Sequence, residues 1–143
     1  MIKKYLSLLG IAVLLFFCAC SSQTELVSHS KSDFKIFISK NAAKPEQYAA
    51  RELQKYLQKI SGCLLPIVNE NKADDKMIYI GFQNAPHALT HDLKPAAFGK
   101  EEYIIRSDGK NLLIAGGAPR GTLYGVLGYL GDIWDAAGIR VKS

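Results

Sequence analysis

Little in this sequence carries chemistry. It has three cysteines, three histidines and one tryptophan in 143 residues. No Ser-His-Asp or Cys-His arrangement is visible, so nucleophilic catalysis has no marked residues. Paired catalytic carboxylates must converge on one bond. Glu101-Glu102 and Asp74-Asp75 are adjacent pairs that point to opposite faces of a strand or sit in a solvated loop. His87 and His91 have the four-residue spacing of metal ligands on a helix. Pro86 and the irregular composition around them argue against a helix, and no third ligand is evident, so they read as surface histidines. No pattern calls for a metal or a cofactor. The formal charge of +5 forms no basic stripe with interleaved aromatics, which argues against nucleic acid as a partner.

What is present is an ordinary folding composition, 48% hydrophobic and 22% charged, in a length that suits one domain. The N-terminus stands apart. Residues 1–19 carry a basic start (Lys3, Lys4), an apolar run from Leu8 to Phe17, and then Cys18-Ala19-Cys20-Ser21-Ser22. This is a secretory signal, short for a membrane-spanning helix. Ala19 before Cys20 resembles a bacterial lipobox, with Phe17 in place of the usual Leu. On that reading Cys20 becomes the lipidated first residue of the mature chain; an ordinary signal peptide or an uncleaved anchor is the alternative. Removing 19 of the 143 residues leaves 124, and losing Lys3 and Lys4 lowers the formal charge from +5 to +3. With Cys18 lost and Cys20 lipidated, Cys63 is left without an intramolecular disulfide partner and reads as a small apolar residue.

Residues 20–33 are polar and aperiodic, a tether ahead of a folded unit spanning 34–143. Phe34–Ile38 reads as a first strand. Pro45-Glu46 opens a helix that buries Ala49, Leu53, Tyr56, Leu57 and Ile60 at helical spacing and ends at Gly62. Its opposite face carries Arg51, Lys55, Gln58 and Lys59. Leu64–Val68 is a short strand that Pro66 confines to an edge, and Met77–Gly81 is a central strand. Residues 82–100 are an irregular loop, long enough to be functional or packed against something absent from this chain.

Asp108-Gly109 is a hairpin signal between Tyr103-Ile104-Ile105 and Leu112-Leu113-Ile114. A two-residue loop sets Ile105 opposite Leu112 and Tyr103 opposite Ile114. After Ala115 the chain turns through Gly116-Gly117-Ala118 into a helix from about Pro119 to about Ala137, with Leu123, Val126, Leu127, Leu130 and Trp134 as its apolar stripe. The Gly116–Gly121 corner could cradle a phosphate. It lacks the Lys-Ser/Thr ending of a P-loop and the spacing of a dinucleotide fingerprint, so a structural corner is the better reading. Gly121, Gly125 and Gly128 within the helix imply close approach to the sheet beneath.

The expected fold is α+β, a small mixed sheet with two helices packed on one face. Alternation then turns Ile36, Ile38, Ile78, Ile80, Tyr103, Ile105, Leu112 and Ile114 toward the helices. Phe37, Tyr79, Ile104 and Leu113 turn the other way and make an uncovered face, the candidate docking or binding surface. A one-residue register error would leave that face more polar.

Two stretches together resemble a known family. One is Tyr48-Ala49-Ala50-Arg51-Glu52-Leu53-Gln54-Lys55-Tyr56-Leu57, with Ile60-Ser61-Gly62 and Leu65-Pro66-Ile67. The other runs from Glu102-Tyr103 through Leu112-x-Ile114-x-Gly116-Gly117 to Arg120-Gly121-Thr122-Leu123-Tyr124-Gly125. Their order is similar to the small α/β domain that precedes the catalytic barrel in α-glucuronidases and chitobiase-type β-N-acetylhexosaminidases. Related exported lipoproteins of Bacteroides-like gut bacteria share it.

The resemblance implies a hexosaminidase domain 2-like fold and a non-catalytic role beside a barrel that hydrolyses glycosidic bonds. No catalytic residue carries over, because the matching positions are fold positions. The family continues from Gly138-Ile139-Arg140 into Trp and another aromatic, whereas this chain reads Val141-Lys142-Ser143. The expectation is a domain cut short before its barrel, lipid-anchored at Cys20 in the bacterial cell envelope, at the outer membrane. The alternative is a stand-alone module binding carbohydrate or a partner protein.

Overall fold

The central residues of the chain are apolar at nearly every position, and they form strands buried on both faces. The computed structural model describes residues 32–136. Strand β1 (Phe34–Ile38) pairs in parallel with the two-residue strand β2 (Ile67–Val68) on one side and with β3 (Lys76–Ile80) on the other. The next neighbour, β5 (Leu112–Gly116), is parallel to β3, and β4 (Tyr103–Ser107) closes the sheet antiparallel to β5. The order is β2-β1-β3-β5-β4. β3 is central and β2 lies at an edge, as their compositions imply. Pro66 stands just outside β2, where its carbonyl accepts a hydrogen bond from Ile36 N–H.

Helix α1 (Lys44–Ser61) and helix α3 (Gly121–Ala136) cover one face, giving the expected α+β arrangement. Ala49, Ala50, Leu53 and Leu57 of α1 and Val126 and Leu130 of α3 meet Ile36, Ile78, Ile80, Leu112 and Ile114 of the sheet. Glu46 reaches back from the first turn of α1 to accept from Ala43 N–H at 3.0 Å, which satisfies one amide the helix leaves free. Gly62 ends α1 in the left-handed region at φ 74°, where a side chain would be strained. The ring of Tyr56 on α1 meets Trp134 on α3 edge-on at 5.3 Å, so the two helices run the same way, back along the parallel strands.

The hairpin differs from expectation by two residues. Ser107 pairs with Leu112, Ile105 with Ile114 and Tyr103 with Gly116, so the loop is 108–111. Asp108 causes the change. Its carboxylate accepts from the N–H groups of Lys110 and Asn111 at 2.9 and 2.6 Å, which builds a longer side-chain-capped turn. A shift of two keeps every side chain on its expected face.

The last helix begins at Gly121, later than expected, after a corner that contains the cis Ala118–Pro119 peptide. A Cβ on Gly117 would run into the carbonyls of Phe98 and Gly99. Farther along, Gly125 and Gly128 form a notch in α3 filled by the Tyr103 ring. Close approach compensates the poor helix propensity of glycine there, as the sequence implies.

The second face of the sheet is the main correction. The 82–100 segment is no open loop. It contains a single helical turn, α2 (His87–Thr90), and a 3-10 turn (Pro95–Ala97), and it lies across that face. Leu89, with Leu93, Phe82 and Ala85, packs on Phe37, Met77, Tyr79, Leu113 and Ala115. Leu89 is 0% exposed. Replacing a buried leucine by alanine costs about 2–5 kcal/mol. Leu89→Ala is expected to cost as much as Leu53→Ala in the α1 core, measured by urea unfolding. A loss well below 1 kcal/mol at Leu89 would mean that this segment lies outside the cooperative core.

Candidate functional site

The four residues expected to form an open docking face do share one side of the sheet. Phe37 pairs with Tyr79, Tyr79 with Leu113, and Ile104 with Ala115 in register. That side is closed. Phe37 and Tyr79 are 2% exposed and Leu113 is 0%, and Ile104 is half-buried. Phe37 and Tyr79 contact each other at 5.1 Å between ring centres. The physical reason is the chain's own 82–98 stretch, whose apolar residues satisfy the face before any partner arrives.

One charged residue fastens that cover. Arg106 of β4 pairs in register with Leu113, so it faces the second layer. Its guanidinium donates to the Leu89 carbonyl at 3.3 Å and grips both carboxylate oxygens of Asp92, one of them at 3.2 Å. The hydrogen bond from Arg106 holds the Asp92 carboxyl below the usual carboxylate range. In sequence, a cation alternating with Ile104 on an otherwise apolar side was the signal for such a partner.

The other marked residues are committed to structure. The Gly116 amide donates to the Thr122 hydroxyl at 3.1 Å. The amides of Gly117 and Gly121 go to the carbonyls of Glu102 and Gly117. The corner therefore uses its own donors, which leaves the phosphate-cradle reading without them. Arg120 faces Glu101 at 3.5 Å, both exposed. Glu102 accepts from Gly99 N–H at 2.7 Å, and Asp75 pairs with Lys35 at 2.7 Å. His87 and His91 are brought together by the single turn α2, at 5.9 Å between rings. Pro86 is tolerated there because it precedes the helical residues. Among the described residues no group of three or more His, Cys, Asp or Glu could hold a metal ion. Cys20, the lipidation residue, lies outside the described residues.

What is left open is apolar surface. Tyr103 on β4 and Leu127 on α3 are each 44% exposed. Tyr103 lies in the Gly125–Gly128 notch, whereas Leu127, two turns before Trp134 on the same face of α3, lies toward α1. Leu127 was expected in the buried stripe, but α3 buries a narrower one of Val126 and Leu130, with Leu123 and Ile133 partly covered. On α1, Tyr48 is 48% exposed, and Leu64 just beyond the helix is 57% exposed.

With this geometry established, comparison with known proteins assigns the class. Residues 20–129 match the family model described as glycosyl hydrolase family 67 N-terminus, and the chain belongs to that family. It is an N-terminal accessory domain of the glycoside hydrolase type, related to those of α-glucuronidases. A GH138 enzyme targeting pectin rhamnogalacturonan II is similar in structure over 76% of this chain, at 18% identity and a TM-score of 0.47. The match covers 14% of that enzyme's length. No curated protein sequence matches the chain.

The Arg106–Asp92 clamp makes a pH prediction. Asp92 titrates lower in the folded chain than in the unfolded one. Its contribution is present above the ordinary carboxylate range and lost as pH falls through the depressed folded value. Below roughly pH 4, amide exchange at Leu89 and Leu93 is expected to rise ahead of exchange at Ile78. Asp92→Asn is expected to raise exchange at those two amides at neutral pH and to flatten the acid response. An unchanged acid response in Asp92→Asn would remove the clamp from the account.

Proposed function

We propose that this chain is the non-catalytic accessory domain of an exported glycoside hydrolase of the bacterial cell envelope. In this reading residues 1–19 are cleaved, Cys20 is lipidated, and 20–33 tether the folded unit to the outer membrane. The observation that carries the reading is the family match over residues 20–129. It is supported by the use made of the carboxylates. Glu46 caps α1, Glu102 binds the Gly99 amide, Asp75 pairs with Lys35 and Asp92 with Arg106. Each is engaged in holding backbone or a neighbour, Asp92 and Glu102 doing so at the edge of one shallow pocket.

The partner of the domain is a catalytic barrel that cleaves a glycosidic bond in a polysaccharide or glycan. The partly exposed ring of Tyr103 on the edge strand β4 and Leu127 on α3 offer it apolar contacts, the kind of exposure that marks an interaction surface. This replaces the Phe37–Tyr79–Leu113 face, which the chain itself occupies.

Two measurements test the proposal. Sequencing the gene through and beyond the codon for Ser143 is expected to reveal a barrel in frame or one frameshift away; unrelated DNA there would defeat the accessory role. Growth with an alkyne-bearing fatty acid is expected to label the chain and to leave Cys20→Ser unlabelled. Labelling that survives in Cys20→Ser, or none in the native chain, would overturn the anchor.

A further inference from the structure

The outward face of α1 is a second surface, unrelated to barrel docking. Lys44, Tyr48, Arg51, Lys55 and Lys59 follow one another at intervals of three or four residues and are exposed or half-exposed along the helix. Such spacing places them in one stripe about 22 Å long at 1.5 Å per residue. Glu52 is the one carboxylate beside them, paired with Lys55 at 3.2 Å. Four cations thus face one anion. The ammonium groups of Lys55 and Lys59 also lie over the Tyr56 ring, at 4.8 and 5.2 Å from its centre, which keeps both on the surface of the helix. Leu64, beyond the C-terminal end of α1, adds an exposed apolar side chain.

We infer that this basic face of α1, with Tyr48 and Leu64, rests on the anionic headgroups of the bilayer that holds the lipid at Cys20. The inference builds on the lipid-anchored reading above. Three observations select a membrane surface as the occupant. First, the stripe runs straight along the outward side of one helix, a shape that meets a plane, and the shallow pocket of about 360 Å³ that Arg51 borders lies to its side, beside Gln47 and Ile67. Second, cations with an interspersed aromatic and a flanking leucine are the composition of an interfacial helix face.

Third, the chain enters the described domain at the right place. Ser32 and Pro66 line one shallow pocket of about 440 Å³, and Pro66 is two residues from Leu64, so the tether joins at the C-terminal end of α1. From Cys20 to Ser32 are twelve residues, a reach of at most about 40 Å. Contact is therefore intramolecular once the lipid is inserted. A weak face then suffices, because tethering raises the effective concentration to about the millimolar range.

The test uses the mature chain from residue 20, lipidated or carrying Cys20→Ser. Without lipid, it is expected to sediment with vesicles of phosphatidylglycerol and phosphatidylcholine at low salt. It is expected to stay in solution with phosphatidylcholine alone and to be released by added salt. Reversing Arg51, Lys55 and Lys59 together to Glu is expected to weaken binding at least 100-fold, since each basic residue near such a surface contributes about fivefold. Circular dichroism and melting of the variant confirm its fold.

In the lipidated form on the same vesicles, amine acetylation is expected to spare Lys44, Lys55 and Lys59 relative to Lys94 and Lys100. Those two belong to the segment on the far side of the sheet. Equal binding to neutral and anionic vesicles, unchanged binding of the reversed variant, or uniform acetylation would overturn the inference. So would preferential binding to soluble polygalacturonate, which would make the face a glycan site. The Cys20→Ser arm reads the face alone and fatty-acid labelling reads the anchor alone, so each can fail separately.

Discussion

The structure depends on a requirement set by β3. Ile78 and Ile80 need cover on one side, and Met77 and Tyr79 need it on the other. Parallel strands with no polar face are stable only when both sides are dry. Two helices provide one layer in the ordinary way. The other is provided by residues 82–98, which contain only a single α-helical turn and one 3-10 turn. An irregular stretch can act as a layer here because Leu89 plugs it onto Phe37 and Leu113, and because Arg106 satisfies a carbonyl that the plug brings down with it.

This arrangement explains what could be read in the sequence and what could not. Alternation in Phe34–Ile38 and Met77–Ile80, the α1 stripe and Gly62 specified the helix-covered half almost residue by residue, because local period and burial agree there. The same alternation correctly set Phe37, Tyr79 and Leu113 on a common side. It could not tell whether that side meets solvent, a partner or the chain itself, since the cover has no period of its own. Leu89 in Pro86–Leu93 has no regular neighbours to mark it as core. The hairpin register failed for a narrower reason: Asp-Gly favours a two-residue turn, and the Asp108 carboxylate preferred to cap two amides instead. The exposure of Leu127 was hidden because four leucine-type side chains at helical spacing look alike until the width of the sheet beneath them is known.

Family membership fits the way this molecule uses its polar residues. The stretches of this chain that resemble the α-glucuronidase-type N-terminal domain supply a helix end, close approaches and strand interiors. Glu46, Glu102 and Arg106 likewise hold backbone groups in place. Tyr103 and Leu127 stand apart from that pattern. Tyr103 lies on the edge strand β4 against the glycines of α3, Leu127 lies on α3 itself, and no residue of the described chain covers either fully.

The shared direction of α1 and α3, visible in the meeting of Tyr56 with Trp134, has a geometric consequence. Both helices return along the parallel strands, so the described chain starts at Ser32 and finishes near Ala136 at the same end of the sheet. A domain built this way is a side lobe. It adds width without adding length between what comes before it and what comes after. Anything that follows α3 starts out near the point where residue 32 enters the sheet, so the lobe adds little to the distance between the two.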